Sequence, residues 1–443
     1  MKLFDSLKKE KVSLEQNRVT IYSCGPTVYN FIHIGNARPL IVTDVLVRYL
    51  KAKKINVDFL MNVTDVDDKI INEALAKNIS DIELAKKFTN EFVNNMRHLN
   101  VALPDNLIPI STKINDIVEF IDRLIENGSA YVAEGNVYFD IEKYLSEYGK
   151  VSHQKIEELR NGVRIENESH KKSPLDFVLG KKTEVGRKFH TKGSDGRPGG
   201  HTECVTLIDN HFSDKVSIHI GGTDLRFPHH ENERIQFLAL TKKELSDVGF
   251  HVGHVMLENQ KMSKSVGNII TVNDYLKNNT HNDLRYILLA SKYSQPINVT
   301  ENLIQQAKKG NEKIFSLLKK INGMNAIGEI SILSNTPIDS EFNELNFFNE
   351  VMMELDNDLN TAQAISIIDK LMKYLNQTLK EKKLDNAFEM FNQVLEVMGF
   401  VYEIKNISSS EIEEIKTGKK LIDEKKFTEA DTLRSKLEKS NLI

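Results

Sequence analysis

In "RVTIYSCG", residues 18 to 25, Val19, Ile21 and Ser23 alternate with Thr20, Tyr22 and Cys24 before a Gly-Pro pair, the period of a strand that feeds a loop. "NARPLIVTDVLVRYLKAK" then carries helical spacing, and "INVDFLMNVTD" returns to alternation through Val57, Phe59, Met61 and Val63. Strand, helix and strand in that order predict a βαβ unit of an open parallel sheet, whose ligands sit beyond the carboxyl ends of its strands. "DVDDKIINEALAKN" opens on carboxylates suited to a helix N-terminus and continues as a helix. From about 112 to 200 the pattern changes, with a strand-like "NVYFDI", many charges and the glycine-rich "GSDGRPGG". This stretch is expected to be an inserted subdomain that splits one nucleotide-binding domain into two halves. Alternation resumes at "KVSIHI" (215 to 220), directly before "GGTD".

Beyond about residue 300 strand patterns vanish. Helical patterns such as "ENLIQQAKKGNEKIFSLLKKI" and "TAQAISIIDKLMKYLNQTL" take over and predict an all-α bundle. The last stretch is charge-dense and helical, with lysines near its start, and no solenoid-period repeat or low-complexity tract occurs.

The length of 443 residues suits a multidomain chain. With 59 basic and 63 acidic residues the formal net charge is -4, so no global positive field recruits nucleic acid and a polyanion has to be met by local patches. "MKLFDSLKKEKVSLEQN" lacks the apolar core of a signal peptide, and no window has the apolar length of a membrane span; a cytoplasmic protein is expected. The two cysteines, Cys24 and Cys204, read as free thiols or metal ligands rather than as a lone bridge, and tryptophan is absent.

Four short motifs bear chemistry. In "FPHHENER" (227 to 234) Pro228 suits the first turn of a helix running on through "IQFLAL", which puts His229 and Glu233 four apart on one face. Cys24, at the end of the first strand, and Cys204, just before the sheet resumes, fall where strand ends converge and would complete a Cys, Cys, His, Glu set suited to zinc. The competing reading has His229 capping a helix and both cysteines buried in the core. "HIGN" (33 to 36) lies between strand and helix, where Gly35 lets the backbone approach a phosphate and His33 can donate to it; a plain turn competes. "KMSKS" (261 to 265) offers two lysines three apart in a loop able to clamp a triphosphate, against the reading of a solvated surface loop. In "GGTD" (221 to 224) the glycines permit close approach and Asp224 could bind a ribose hydroxyl or an ammonium, or the segment is merely a turn.

Together these residues closely resemble the cysteinyl-tRNA synthetases, a family of class I aminoacyl-tRNA synthetases. The resemblance runs in order through "YSCGPTVYNFIHIGNARP", "NVTDVDDKI", "GRPGGHTEC", "HIGGTDLRFPHHENE", "KMSKSVGN", "DLRYILLAS" and "DNDLNTAQA", nearly the whole chain. It implies an α/β fold: a Rossmann-type catalytic domain in two halves, 1–111 and 201–240, around an inserted connective subdomain, 112–200. A stem-contact region with the KMSKS loop (241–308), a helical bundle on the tRNA side (309–403) and a short tRNA-contacting tail (404–443) would follow. The implied reaction joins L-cysteine to MgATP as cysteinyl-adenylate with release of pyrophosphate, then passes cysteine to the terminal ribose of tRNA(Cys). One Zn²⁺, held by Cys24, Cys204, His229 and Glu233, would select the substrate thiolate.

The resemblance also assigns catalysis to His33, Lys261 and Lys264, and ATP binding to these with Gly35, Asn36, Gly222, Asp224, Ser263 and Ser265. Substrate contacts fall to Cys24, Gly25, Thr27, Thr64, His219 and Asp224, and family habit implies a monomer. Three departures stand out. Asn36 occupies the place of a second histidine; Gly200 and Gly180 stand where the family carries tryptophans, the first of which walls the cysteine pocket, so a looser pocket is expected. The chain ends at "SNLI", short of the hairpin-like tail usual in the family, which puts anticodon contacts there in doubt. Two rivals differ in class: a cysteine ligase of mycothiol synthesis, which the bundle and tail argue against, and a zinc-stabilised RNA-binding paralogue without catalysis, which the intact "KMSKS" argues against.

Overall fold

The computed structural model describes residues 1–162, 170–193, 195–262, 267–330, 346–382, 384 and 386–439. The chain forms two compact units, Met1–Asn278 with Tyr293–Asn298, and Asn279–Lys292 with Val299–Ile443.

The first unit is built on a five-stranded parallel sheet in the order Ser246–Val252, Val216–Gly222, Arg18–Ser23, Asn56–Val63, Asn106–Pro109. Ile21 sits between Ile218 and Phe59 in register, and Tyr22 beside His219. The chain leaves strand Arg18–Ser23 toward one edge and later returns on its other side, so the strand order reverses between Arg18–Ser23 and Val216–Gly222. At such a point the connections diverge and open a crevice beyond the carboxyl ends of the strands. Cys24 and Gly222 lie there. Helix Ile34–Ala52 packs on the sheet and is buried on nearly every side from Leu40 to Leu50, the mark of an interior helix rather than of one apolar stripe. Helix Asp68–Lys77 is capped by Asp67, whose carboxylate accepts from the Lys69 amide at 2.8 Å, in keeping with the acidic opening of that segment.

The inserted stretch holds helix Ile114–Glu126 and a five-stranded antiparallel sheet in the order Ala130–Ala133, Asn136–Phe139, Phe177–Lys182, Asp195–Pro198, Phe189–His190. Its core is not separate. Phe120, Ile121, Phe139 and Leu179 join Tyr22, Leu60, Val205 and Ile208 in one buried apolar cluster.

One reading of local structure needs correction. Residues 200–212 form helix Gly200–Phe212, so Cys204, expected where strand ends converge, is delivered by a helix and not by a strand end. Pro228 opens a helical turn as expected: Phe227 before it is extended (φ -140°, ψ 133°), as residues before proline prefer, and the Glu231 amide donates to Pro228 O. The turn from Pro228 to His230 leads into the regular helix Glu231–Thr241.

The second unit is helical. Helices His281–Leu289, Glu301–Ala326, Phe347–Asp356, Thr361–Lys380 and Ala387–Met398 bury Val351, Leu355, Ile368, Leu371, Leu375, Phe391 and Val394. The last segment, expected to stop short of a hairpin-like tail, folds as a helical hairpin, Ser409–Asp423 and Phe427–Lys439. No helix among the described residues is long and apolar enough to cross a membrane. Phe391 is fully buried, so Phe391→Ala is expected to cost about 3–5 kcal/mol of stability, read as a lowered denaturant midpoint of the helical unit.

Candidate functional site

The reversal of strand order brings the proposed ligands together. One donor atom from each of Cys24, Cys204, His229 and Glu233 lies within 4.8 Å of the others. Cys24 follows strand Arg18–Ser23, Cys204 sits in the first turns of helix Gly200–Phe212, and His229 and Glu233 flank the start of helix Glu231–Thr241. His229 Nε2 is 2.8 Å from Glu233 Oε1 and 3.6 Å from Cys204 Sγ, and Cys24 Sγ is 3.6 Å from Glu233 Oε1. Four donors at roughly 2.0–2.3 Å from one centre stand about 3.3–3.8 Å apart, so the cluster has the dimensions of a tetrahedral site. A second set, Cys24, His219, His230 and Glu233, shares two of these donors.

The electrostatics of the cluster depend on Glu233, which has no solvent exposure. Burial opposes its ionisation, but His229 and His219 outweigh that and hold its carboxyl well below the usual range. Its Oε2 is 3.0 Å from His219 Nε2 and is buried without a hydrogen-bond partner of good geometry among the described residues. Conversely, Glu233 overcomes burial at His229 and raises that imidazole well above its usual value. Of the two thiols, Cys204 is pulled down to about 7 by a hydrogen bond from Cys24, whereas burial pushes Cys24 well up. A buried anion, two sulfurs and an imidazole converging in this way fit a divalent ion of borderline softness.

Around this set lie His201, His230, His251 and Asn62, which the sequence did not single out, together with His219, Thr64, Thr27 and Gly25, expected above as substrate contacts. His201 Nδ1 is 3.0 Å from His229 Nδ1, which orients the ring so that Nε2 faces the cluster. His230 Nε2 is 3.4 Å from Cys24 Sγ, and its Nδ1 is 2.8 Å from His251 Nε2; His251 Nδ1 lies 2.8 Å from Ser6 Oγ. The His219 and His230 rings stack with centroids 4.0 Å apart. Asn62 holds the turn after the first strand: its Oδ1 accepts from the Gly25 amide at 2.7 Å and from the Tyr22 hydroxyl at 3.1 Å, and its Nδ2 donates to Thr64 Oγ1. Thr64 donates in turn to buried Glu203, and its backbone bridges to Thr27. At Gly25 the backbone approach is so close that a Cβ would stand 1.7 Å from the Asn62 carbonyl oxygen. The signal available in sequence for Asn62 was its place two residues before Thr64, a polar residue at the carboxyl end of an interior strand.

The nucleotide side differs from the expectation of a loop at 33 to 36. His33 is the N-cap of helix Ile34–Ala52, and Ile34, Gly35 and Asn36 form its first turn. The His33 ring accepts from the Gly35 amide through Nδ1 at 3.1 Å, while Asn36 Oδ1 accepts from the His33 amide, a reciprocal cap that starts the helix earlier than apolar spacing suggested. Because Nδ1 accepts, the neutral ring carries its proton on Nε2 and presents it outward. Burial lowers the His33 pKa, opposed by Asp224 nearby. Asp224 folds back over Gly222, where an added Cβ would meet Asp224 Oδ1 at 2.4 Å. Met262 is buried, and its Cε stands 2.9 Å from where a Gly35 Cβ would be. Ser263, Lys264 and Ser265 lie outside the described residues, as does the Lys261 side chain.

The family described as "tRNA synthetases class I (C) catalytic domain" matches residues 10–309, and the DALR domain matches 350–403. Among curated relatives, the cysteine--tRNA ligase of Mycoplasma mycoides subsp. mycoides is 44% identical over the whole of both chains. That of Clostridioides difficile is 37% identical over 99% of this chain and 96% of its own. The chain belongs to the cysteinyl-tRNA synthetases. Mycobacterium tuberculosis methionyl-tRNA synthetase in complex with methionyl-adenylate shares the fold, with a TM-score of 0.63 at 16% identity over 86% of this chain and 88% of that one.

Within this member of the family, Gly180 and Gly200 differ in setting. A Cβ at Gly180 would meet Val137 and Ile121 in the insertion core, whereas one at Gly200 would meet nothing within 4 Å. Removing the Asn62 amide strands two buried donors, so Asn62→Ala is expected to cost about 1–3 kcal/mol, measured as a lowered denaturant midpoint.

Proposed function

We propose that the chain activates L-cysteine with MgATP and transfers it to the 3′-terminal ribose of tRNA(Cys), with Zn²⁺ selecting the substrate. The observation that carries this reading is the convergence of the Cys24, Cys204, His229 and Glu233 donors at the point where strand order reverses. Those four residues would hold the zinc, with His201, His219 and His230 around them. Bound zinc supplies a soft Lewis acid that favours a thiolate over a neutral hydroxyl, a discrimination that pocket shape provides poorly between side chains differing by one atom.

In the first step a carboxylate oxygen of cysteine attacks the α-phosphorus of ATP, forming the mixed anhydride as the bond to pyrophosphate breaks. A ribose hydroxyl of the tRNA then attacks the cysteinyl carbonyl and AMP leaves. No covalent enzyme intermediate is required, so the protein contributes positioning and charge stabilisation. His33 donating from Nε2 and Asn36 donating from Nδ2 form the phosphate cradle; the amides of Ile34, Gly35, Asn36 and Ala37 are already committed to Ile270 O and to His33, so the helix adds its dipole rather than free donors. Lys264, assisted by Lys261, meets charge that develops on the phosphates, and Asp224 receives a ribose hydroxyl or the substrate ammonium. Gly200 is exposed, with open space where a Cβ would stand; on this reading the amino-acid pocket lacks the wall a tryptophan would supply, and its selectivity rests more on the metal.

Pyrophosphate exchange dependent on cysteine, followed by charging of tRNA(Cys) transcript, tests the reading; metal-replete protein active in neither would refute it. Cys204→Ser is expected to lose zinc, by elemental analysis, together with the preference for cysteine over serine. Metal binding requires both thiols and His229 to be deprotonated, and burial at Cys24 and Glu233 beside His229 raise the pKa values of these two groups, so zinc affinity should fall continuously as pH drops from the alkaline side, read by chelator competition. Lys264→Ala should lower exchange turnover by about 10²–10³-fold while leaving zinc content unchanged. Gly200→Trp should suppress exchange supported by homocysteine about tenfold relative to cysteine.

A further inference from the structure

We infer that Arg38 is a positioning residue for the activation step: it locks the phosphate-binding end of helix Ile34–Ala52 to the root of the hairpin that leads into the lysine signature. The inference rests on the proposed role of these two elements in binding ATP.

Arg38 lies about one turn into the helix and is fully buried. Its Nη1 donates to the carbonyl oxygens of Gly253 at 2.8 Å and of Gln295 at 2.6 Å. Those carbonyls belong to two backbone segments pressed together. A Cβ at Gly253 would stand 2.2 Å from the Gln295 oxygen and 2.8 Å from Pro296 N. The Gly253 amide donates to Tyr293 O at 2.8 Å and the Ile297 amide to His254 O at 3.1 Å. Two carbonyl dipoles brought side by side repel each other, and a cation placed between them turns the repulsion into attraction. Burial draws the Arg38 pKa down to about 10, so the guanidinium stays charged at neutral pH.

Both segments are roots of one small sheet. Gly253 and His254 enter strand Val255–Leu257, which pairs with Gln260–Lys261, and Pro296 enters Ile297–Val299. The chain then returns to the same helix. The Ile34 amide donates to Ile270 O, the Val272 amide donates to Ile32 O, and His33 bridges Thr271. Met262, within the signature, is seated beside Gly35, and Ile270 and Thr271 beyond it are bonded or bridged to the start of the same helix. Arg38 adds the charged tether at the base. A shift of this joint changes the distance between the His33 cradle and the hairpin without touching the Cys24 cluster.

The test uses the zinc-loaded full chain with Arg38→Lys, which keeps the charge but loses the rigid fork, and Gly253→Ala, which wedges the joint from the other side. Cysteine-dependent exchange is measured beside thermal melting, zinc content and cysteine affinity by calorimetry. Both variants are expected to melt cooperatively and bind cysteine and zinc as the parent does, with exchange turnover lower by about 10–100-fold. Folded variants with parental turnover would overturn the inference, as would a loss of turnover that tracks lost cysteine affinity. If neither variant folds, the joint is a folding determinant and the inference also fails. A parent without cysteine-dependent exchange would instead overturn the function on which it rests.

Discussion

A carboxylate stays ionised out of water only if positive charge replaces the water, and the catalytic unit is organised around meeting that condition at Glu233. Truncating one partner of a buried charge strands the other, and several kcal/mol follow. The fold meets the condition by topology. Adjacent strands put Tyr22 beside His219, so the residue after the first strand, Cys24, emerges next to His219, and helices Gly200–Phe212 and Glu231–Thr241 bring Cys204 and His229 to the same point. No one of these four elements could shift by a residue without leaving an unpaired group in the interior. The cluster is thus a constraint on the sheet register as much as a product of it.

How much of this was legible in the sequence follows from how local each feature is. Period-2 alternation located Arg18–Ser23, Asn56–Val63 and the strand ending at Gly222 through their own side chains, although these interior strands are buried on both faces toward their carboxyl ends. Spacing of four linked His229 to Glu233 even though the helix begins only at Glu231, since His229 and His230 lead directly into it. Helix Gly200–Phe212 was missed because its opening, "GGHTEC", carries two glycines and only a short apolar run. The cap at His33 was missed for a different reason: an imidazole accepting from a backbone amide leaves no trace in hydrophobic spacing. His201, His230 and His251 act through neighbours 28, 206 and 21 residues away, and such pairings are set by tertiary structure alone.

The amino-acid and phosphate ends of the site are not independent, because both grow from one short segment. Residues 24 to 33 begin at a candidate zinc ligand and end at His33, the cap of the helix proposed to bind phosphate. That segment is pinned midway to the end of strand Asn56–Val63: the Val28 amide donates to Thr64 O and the Thr64 amide to Pro26 O. Thr64 also reaches Glu203, next to Cys204. On the proposed reading, a cysteine gripped by its sulfur at one end of this segment would have its carboxylate held at a set distance from His33 at the other. Such a frame would suit a reaction in which nothing covalent passes through the protein. The rate of such a reaction depends on holding an oxygen and a phosphorus atom in line; the substrates lose their freedom when they bind, and a chain whose binding groups are already fixed by folding adds no reorganisation of its own to that cost.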